Sequence, residues 1–293
     1  MTPGGEARSA RRSVPSVTAR DHRATLLTAD GVPIEARYEP PPPSAAADGD
    51  GLALVVAHGF TGALERPALR RVARAFAQHT AVITFSFRGH GRSGGRSTVG
   101  DREVLDLAEA VRWARRLGHR RVATVGFSMG GSVVLRQAAL QGADIENQPS
   151  EGTVSEEHGG RMGARADAVI SVSAPARWYY RGTAPMRRVH WAITRPAGRL
   201  VSRYGLGTRI DGRGWDPEPL PPVAAVPLIA PTPLLLVHGD RDPYFPLDHP
   251  RMLAGAADPS STELWIEPGF GHAETAAPDA LLERVADWAL ARA

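Results

Sequence analysis

A serine, an aspartate and a histidine, each in its own glycine-flanked stretch, have the types and placement needed for acyl chemistry. The serine is Ser128, in Gly126-Phe-Ser-Met-Gly-Gly131. The G-x-S-x-G pattern holds a serine on a sharp bend between a strand and a helix, where neighbours without a bulky Cβ are needed. The apolar run Val122 to Val125 precedes the bend, and an apolar helix to about Leu140 follows it. Unsatisfied N–H groups at the start of that helix would point at the serine and suit a developing oxyanion. A second match, Gly91-Arg-Ser-Gly-Gly95, centres on Ser93. It lies several residues beyond the apolar run Ala81 to Phe87 and leads into polar Arg96-Ser-Thr, without the strand-turn-helix context. Ser128 is the expected nucleophile.

A serine nucleophile works with a base, an acid that orients the base, and donors for the oxyanion. Of ten histidines only His272, in Gly269-Phe-Gly-His-Ala-Glu274, follows the last predicted strand, in a loop before the final helix. Asp240 and Asp242 compete for the acid in His238-Gly-Asp-Arg-Asp-Pro-Tyr-Phe-Pro246. Asp240 directly follows His238-Gly239 and reads as a turn former. Asp242 lies further out, where a side chain could reach a histidine on the neighbouring loop, and is the expected acid. Its expected role is to fix the His272 tautomer and stabilise the imidazolium. The backbone N–H of Met129 is one expected oxyanion donor, and that of Phe60, in His58-Gly59-Phe60, is the second. His58 reads as an organiser of that loop through its ring nitrogens.

The elements that must position these groups alternate along the chain. Ala24–Thr28 and Val32–Tyr38 read as a hairpin about Asp30-Gly31, with Pro33 tolerated at a strand start or edge. Leu52–Ala57, Ala81–Phe87, Val122–Val125, Ala168–Ser173, Thr232–His238 and Thr262–Glu267 are predicted strands. Helices are predicted over 66–78, 101–117 and 278–292 from their apolar periodicity, the second stopped by Gly118. This alternation implies a mostly parallel sheet with helices on both faces. Residues 142–165 are polar and glycine-rich and read as a mobile insertion. Residues 174–230 break the alternation and carry Trp178-Tyr-Tyr180, Trp191, Tyr204 and Trp215 among nine Arg. An insertion there lies over the carboxyl ends of the strands and reads as a lid, or as a helical excursion packed down by its aromatics.

Composition bounds the remaining possibilities. A chain of 293 residues with 42% hydrophobic and 23% charged content suits one large α/β domain or two small ones. No apolar run is long enough to span a bilayer, so no stable membrane insertion is expected. The absence of cysteine excludes disulfides and thiol chemistry and, with no export signal, fits the cytoplasm. All 35 basic residues are Arg, and the net charge of +4 is concentrated in residues 1–23, read as a disordered basic tail. Nucleic-acid binding is therefore not expected. The sequence carries no signal for oligomeric state.

His58-Gly59-Phe60, Arg88-Gly-His-Gly-Arg-Ser93, Gly126-Phe-Ser-Met-Gly-Gly131, His238-Gly-Asp-Arg-Asp242 and Gly271-His272 occur in an order that resembles the α/β-hydrolase superfamily, over residues 24–293. The likeness is to its serine esterase, lipase and peptidase-like branch, with the chain order Ser, Asp, His. The resemblance implies an eight-stranded, mostly parallel sheet, no cofactor, and a small-molecule acyl substrate. Carboxylic ester hydrolysis through an acyl-enzyme is the expected activity; peptide, thioester or carbon–carbon cleavage and acyl transfer use the same groups. The alternative of another class is a non-catalytic ligand-binding receptor, against which the complete set of serine, acid and histidine argues. The positive segment 174–230 would suit an acyl group with an anionic tail, an acidic lipid surface, or simply water.

Overall fold

The computed structural model describes residues 22–43, 51–146 and 163–293. Eight strands form one sheet: β1 (His22–Leu27), β2 (Pro33–Glu39), β3 (Leu52–Ala57), β4 (Ala81–Phe85), β5 (Arg121–Phe127), β6 (Ala168–Val172), β7 (Leu234–Gly239) and β8 (Thr262–Glu267). Their order is β1-β2-β4-β3-β5-β6-β7-β8. The β1–β2 and β2–β4 pairs are antiparallel and all others parallel. Pro33 pairs with Leu27 at the very start of β2, where a missing N–H is tolerated. Strand β1 begins at His22, so the expected tail gives way to structure two residues early; its residues 1–21 lie outside the described residues.

Among the described residues the helices are α1 (Pro67–Phe76), α2 (Glu103–Arg116), α3 (Met129–Glu146), α4 (Ala184–Thr194), α5 (Pro196–Gly205), α6 (Pro222–Ala225), α7 (Asp248–Ala256), α8 (Ala273–Ala276) and α9 (Asp279–Arg292). Side chains alternate across each strand. In β3, Ala53, Val55 and Ala57 join a core with Leu107 of α2 and Val133 of α3. Leu52, Leu54 and Val56 join the opposite core with Leu69 of α1 and Leu281 of α9. Complete burial of β3 explains why it reads as a continuous apolar run.

Two boundaries differ from expectation for physical reasons. Strand β4 ends at Phe85, because Ser86 turns into a loop tied to β2 through Glu35. Helix α3 continues through Gly142, expected to open an insertion, and on to Glu146. A Cβ on Gly142 would lie 2.5 Å from the Leu228 carbonyl oxygen, so this glycine permits close packing rather than ending the helix. Residues 147–162 of that insertion lie outside the described residues. Segment 174–230 contains α4, α5, α6 and one 3-10 turn, Val226–Leu228.

Chain direction makes β3 and β5 the place where successive crossovers leave in opposite senses, β3 to β4 on one side and onward to β5 on the other. Loops at the carboxyl ends of the two strands diverge there and leave a crevice. His58–Phe60 and Ser128 open into it. An internal ion pair braces the neighbouring loop: Arg88 donates to Asp106 at 2.8 Å and to Asp30 at 2.7 Å, and its side chain is almost fully buried.

Candidate active site

Ser128 sits between the end of β5 and the start of α3 with φ of +53°. That left-handed conformation is uncommon for a residue with a side chain and is held here by its surroundings. A Cβ on Gly126 would meet the Gly130 carbonyl oxygen at 2.1 Å, and one on Gly130 would meet the Ala57 carbonyl oxygen at 2.3 Å. Both glycines are therefore dictated by contact with backbone. The Ser128 N–H donates to the Val172 carbonyl at 2.8 Å, pinning the bend to β6.

His272, in the loop after β8, receives a hydrogen bond from Ser128 Oγ at Nε2, at 2.9 Å. Its Nδ1–H donates to Asp242 Oδ2 at 2.7 Å. The other carboxylate oxygen of Asp242 accepts the N–H groups of Tyr244 and Phe245 at 2.7 and 3.1 Å, and its side chain is fully buried. These bonds fix the carboxylate's direction and give His272 the tautomer that presents a lone pair to Ser128. The Tyr244 ring stacks on His272 with centroids 4.2 Å apart.

Asp240 has a wider role than shaping its own turn. Its Oδ1 accepts the Gly269 N–H at 2.6 Å, tying the β7 loop to the β8 loop that carries His272. Ser93 is buried, accepting from the Glu35 N–H at 3.0 Å and donating to the Ser86 carbonyl at 2.6 Å. It joins β2 to the β4 loop and lies away from the Ser128 site.

His58 donates from Nδ1 to the Gly59 carbonyl at 2.7 Å and accepts the Phe87 N–H at Nε2, at 3.0 Å. Complete burial pushes its pKa down to about 3, so it is neutral and shapes the loop, as expected. His90 reaches the Phe60 carbonyl from the other side. Among the described residues, no acceptor takes the N–H of Phe60 or of Met129. Met129 follows Ser128 in the chain, and Phe60 lines the same cavity as Ser128.

Three contributors were not legible in the sequence. Glu274, two residues after His272, is buried and accepts the Gly59 N–H at 3.0 Å; burial raises its pKa. Ser173, at φ +54°, accepts the Ala273 N–H at 3.1 Å and so braces the histidine loop. Tyr244 covers the imidazole. The only sequence signal was position, since Ser173 ends a strand and the others neighbour Asp242 and His272.

Ser128 and His272 open into a cavity of about 370 Å³ whose wall includes Phe60, Trp178, Ile193, Trp215 and Phe245. Helix α4 supplies Met186, Val189 and Ile193 as part of its roof. The two arginines on the wall are already paired, Arg177 with Asp248 and Arg213 with Asp211, each at 2.9 Å. Among the described residues, no group of three or more His, Asp or Glu side chains is arranged to hold a metal ion. No helix among them is long and apolar enough to cross a membrane.

An eight-stranded, mostly parallel sheet with a serine on its strand-to-helix bend and an Asp–His pair on later loops defines an α/β hydrolase. Residues 54–285 match the Alpha/beta hydrolase family, and the chain belongs to it. It is 26% identical over 259 residues to a monoacylglycerol lipase of Mycolicibacterium smegmatis, covering 80% of this chain and 86% of that protein. Its fold is similar to that of a Pyrococcus furiosus esterase, with a TM-score of 0.66, 20% identity, and coverage of 98% of this chain and 96% of that one. An a/b serine hydrolase of Xanthomonas campestris described as lacking a lid is also similar, with a TM-score of 0.59, 19% identity and coverage of 95% and 97%.

Proposed function

We propose that this hydrolase cleaves carboxylic esters carrying an apolar acyl group, through an acyl-enzyme on Ser128. The observation that carries this reading is the hydrogen-bonded run from Asp242 through His272 to Ser128, ending at an apolar cavity. Ser128 Oγ attacks the ester carbonyl as His272 Nε2 takes its proton, while Asp242 stabilises the imidazolium without itself becoming protonated. The N–H groups of Phe60 and Met129 receive the carbonyl oxygen as it becomes an oxyanion; one such donor is typically worth ~10²–10³ in turnover. His272 then protonates the leaving alkoxide. A water, deprotonated by His272, attacks the acyl-enzyme, releases the acid and restores Ser128.

The aromatic and aliphatic cavity wall supports an apolar acyl group. Because Arg177 and Arg213 are committed to carboxylates, the wall favours a neutral ester over one with an anionic tail. The names of the lipase and esterase relatives favour esters among the bonds this chemistry can cleave. Segment 174–230 acts as a lid, with α4 over the serine.

A fluorophosphonate should label wild-type protein at Ser128 and leave Ser128→Ala unlabelled, with p-nitrophenyl ester turnover lost in step. Wild-type protein that resists labelling and turns over no neutral ester would refute the reading.

A further inference from the structure

The apolar stripe of α5 faces away from the protein. Ala197, Leu200, Val201 and Tyr204 recur at helical spacing, a pattern that ordinarily turns inward. Helix α5 instead buries Gly198 and Ser202. A Cβ on Gly198 would lie 2.2 Å from the Trp191 carbonyl oxygen, so the small residue brings the α5 backbone against α4. The larger residues are left outside: Tyr204 is 76% and Leu200 58% exposed, with Val201 beside them and Trp191 exposed on α4.

Charge on this hairpin has one sign. Seven arginines and no carboxylate occur from Arg181 to Arg209, and among the described residues none of the seven pairs with a carboxylate. Four arginines line a second hollow of about 310 Å³: Arg96, Arg199, Arg203 and Arg209, with Leu200 at its edge. No carboxylate lines it. Asp211, which lies in the field of Arg96, is taken up by Arg213.

Arg199 also donates to the Thr194 carbonyl at 3.1 Å and Arg209 to that of Ser93, which holds both in place. A hollow lined by four arginine side chains selects an anion with several oxygens. Exposed Leu, Val, Tyr and Trp side chains beside it select an apolar medium. Phosphate lying immediately above acyl chains satisfies both, and basic helices with an aromatic and aliphatic face bind at that boundary. We propose that the outer face of the α4–α5 hairpin docks on an anionic lipid surface, with the four-arginine hollow receiving a lipid phosphate. A second copy fits poorly, because a two-fold contact would set these arginines against themselves. A nucleic acid would supply phosphates but leave Leu200 and Val201 without an apolar partner. The opposite face of α4 roofs the Ser128 cavity, so docking would hold that cavity about one helix diameter, ~10 Å, from the lipid.

The test uses full-length wild-type and Ser128→Ala proteins with vesicles of phosphatidylcholine alone or mixed with phosphatidylglycerol, at low and high salt. Both proteins should bind the anionic vesicles more tightly, and salt should weaken that binding. The Arg199→Gln/Arg203→Gln double variant should lose about 30-fold in affinity for them. Leu200→Ser/Val201→Ser should lose the binding that survives high salt. Unchanged melting and Ser128 labelling would show that these variants fold. Equal binding to both vesicles, or full affinity in the arginine variant, would overturn the proposal. So would displacement by soluble glycerol phosphate, tighter binding to duplex DNA than to vesicles, or a dimer abolished by Leu200→Ser. Because Ser128→Ala reports only on the surface, its vesicle binding is decided separately from the ester chemistry.

Discussion

Replacing Glu274 tests whether the loop beside Ser128 must be held for catalysis. The Gly59 N–H donates to the Glu274 carboxylate at 3.0 Å, and both groups are buried. In Glu274→Ala that donor loses its acceptor, at a cost of about 1–3 kcal/mol for a buried unsatisfied group. For a chain of this size that corresponds to a melting point lowered by roughly 2–10 °C. Phe60, whose N–H is the proposed oxyanion donor, is the next residue. Freeing its neighbour should cost part of the ~10²–10³ that one oxyanion donor supplies, so a fall in kcat of about 10- to 100-fold is expected. KM should change little, because the oxyanion contact strengthens only in the transition state. Glu274→Gln retains an acceptor of the same reach and should recover most of the activity and melting point. The assay is steady-state and burst kinetics on a p-nitrophenyl ester, read alongside thermal unfolding. If alanine and glutamine lower kcat equally, the carboxyl group acts through something other than holding Gly59. If alanine lowers only the melting point, the loop does not need this anchor for catalysis.

Glycine positions offer a paired test. Gly130→Ala drives a Cβ to 2.3 Å from the Ala57 carbonyl oxygen and should cost about 1–3 kcal/mol or more in urea unfolding. Gly255→Ala, on helix α7 with nothing within 4 Å of the added carbon, should instead stabilise by roughly 0.5–1 kcal/mol. Arg88→Met should destabilise by about 3–5 kcal/mol, since it strands the fully buried Asp106 carboxylate; a smaller loss would mean that carboxylate finds another partner or a proton. Acidification should destabilise the fold above the carboxylate range. Burial lowers His58 from 6.5 to about 3 and His249 to about 4, so below pH 6.5 the unfolded chain takes up protons that the native state refuses. Each histidine's contribution is complete above that pH and falls by about 1.4 kcal/mol per unit as pH drops toward its folded value. His249→Gln keeps an acceptor for the Ala176 N–H, which His249 Nδ1 accepts at 2.9 Å, and should show a shallower loss of melting temperature between pH 6.5 and 5; an identical slope would contradict this.

The proximity of the proposed site residues could be read from the sequence because each follows a strand. A parallel sheet places the ends of its strands side by side, so loop position in the sequence translates directly into proximity. Ser128, Asp242 and His272 meet by that rule, and Phe60 and Met129 line the same cavity. Partners set by burial were not legible. Nothing in Gly-His-Ala-Glu274 announces that the glutamate turns inward to Gly59 across 215 positions, and Ser173 depends on a left-handed backbone. Glycine misled in one place. Gly142 looked like the end of a helix, yet its role is close contact with the Leu228 carbonyl. Periodicity was no guide to α5, which turns its small residues inward and its large ones out.

The serine and histidine that meet at 2.9 Å are 144 positions apart, and the whole of segment 174–230 lies between them in the chain. The hydrogen-bonded run of Ser128, His272 and Asp242 therefore does not exist in any fragment that stops short of β8 and its following loop. During synthesis Ser128 has no histidine partner until the loop after β8 has emerged. In the laboratory the same separation makes Ser128 labelling a gauge of long-range order. A population that loses labelling before its far-ultraviolet signal has lost the alignment of β5 with β7 and β8, not its helices.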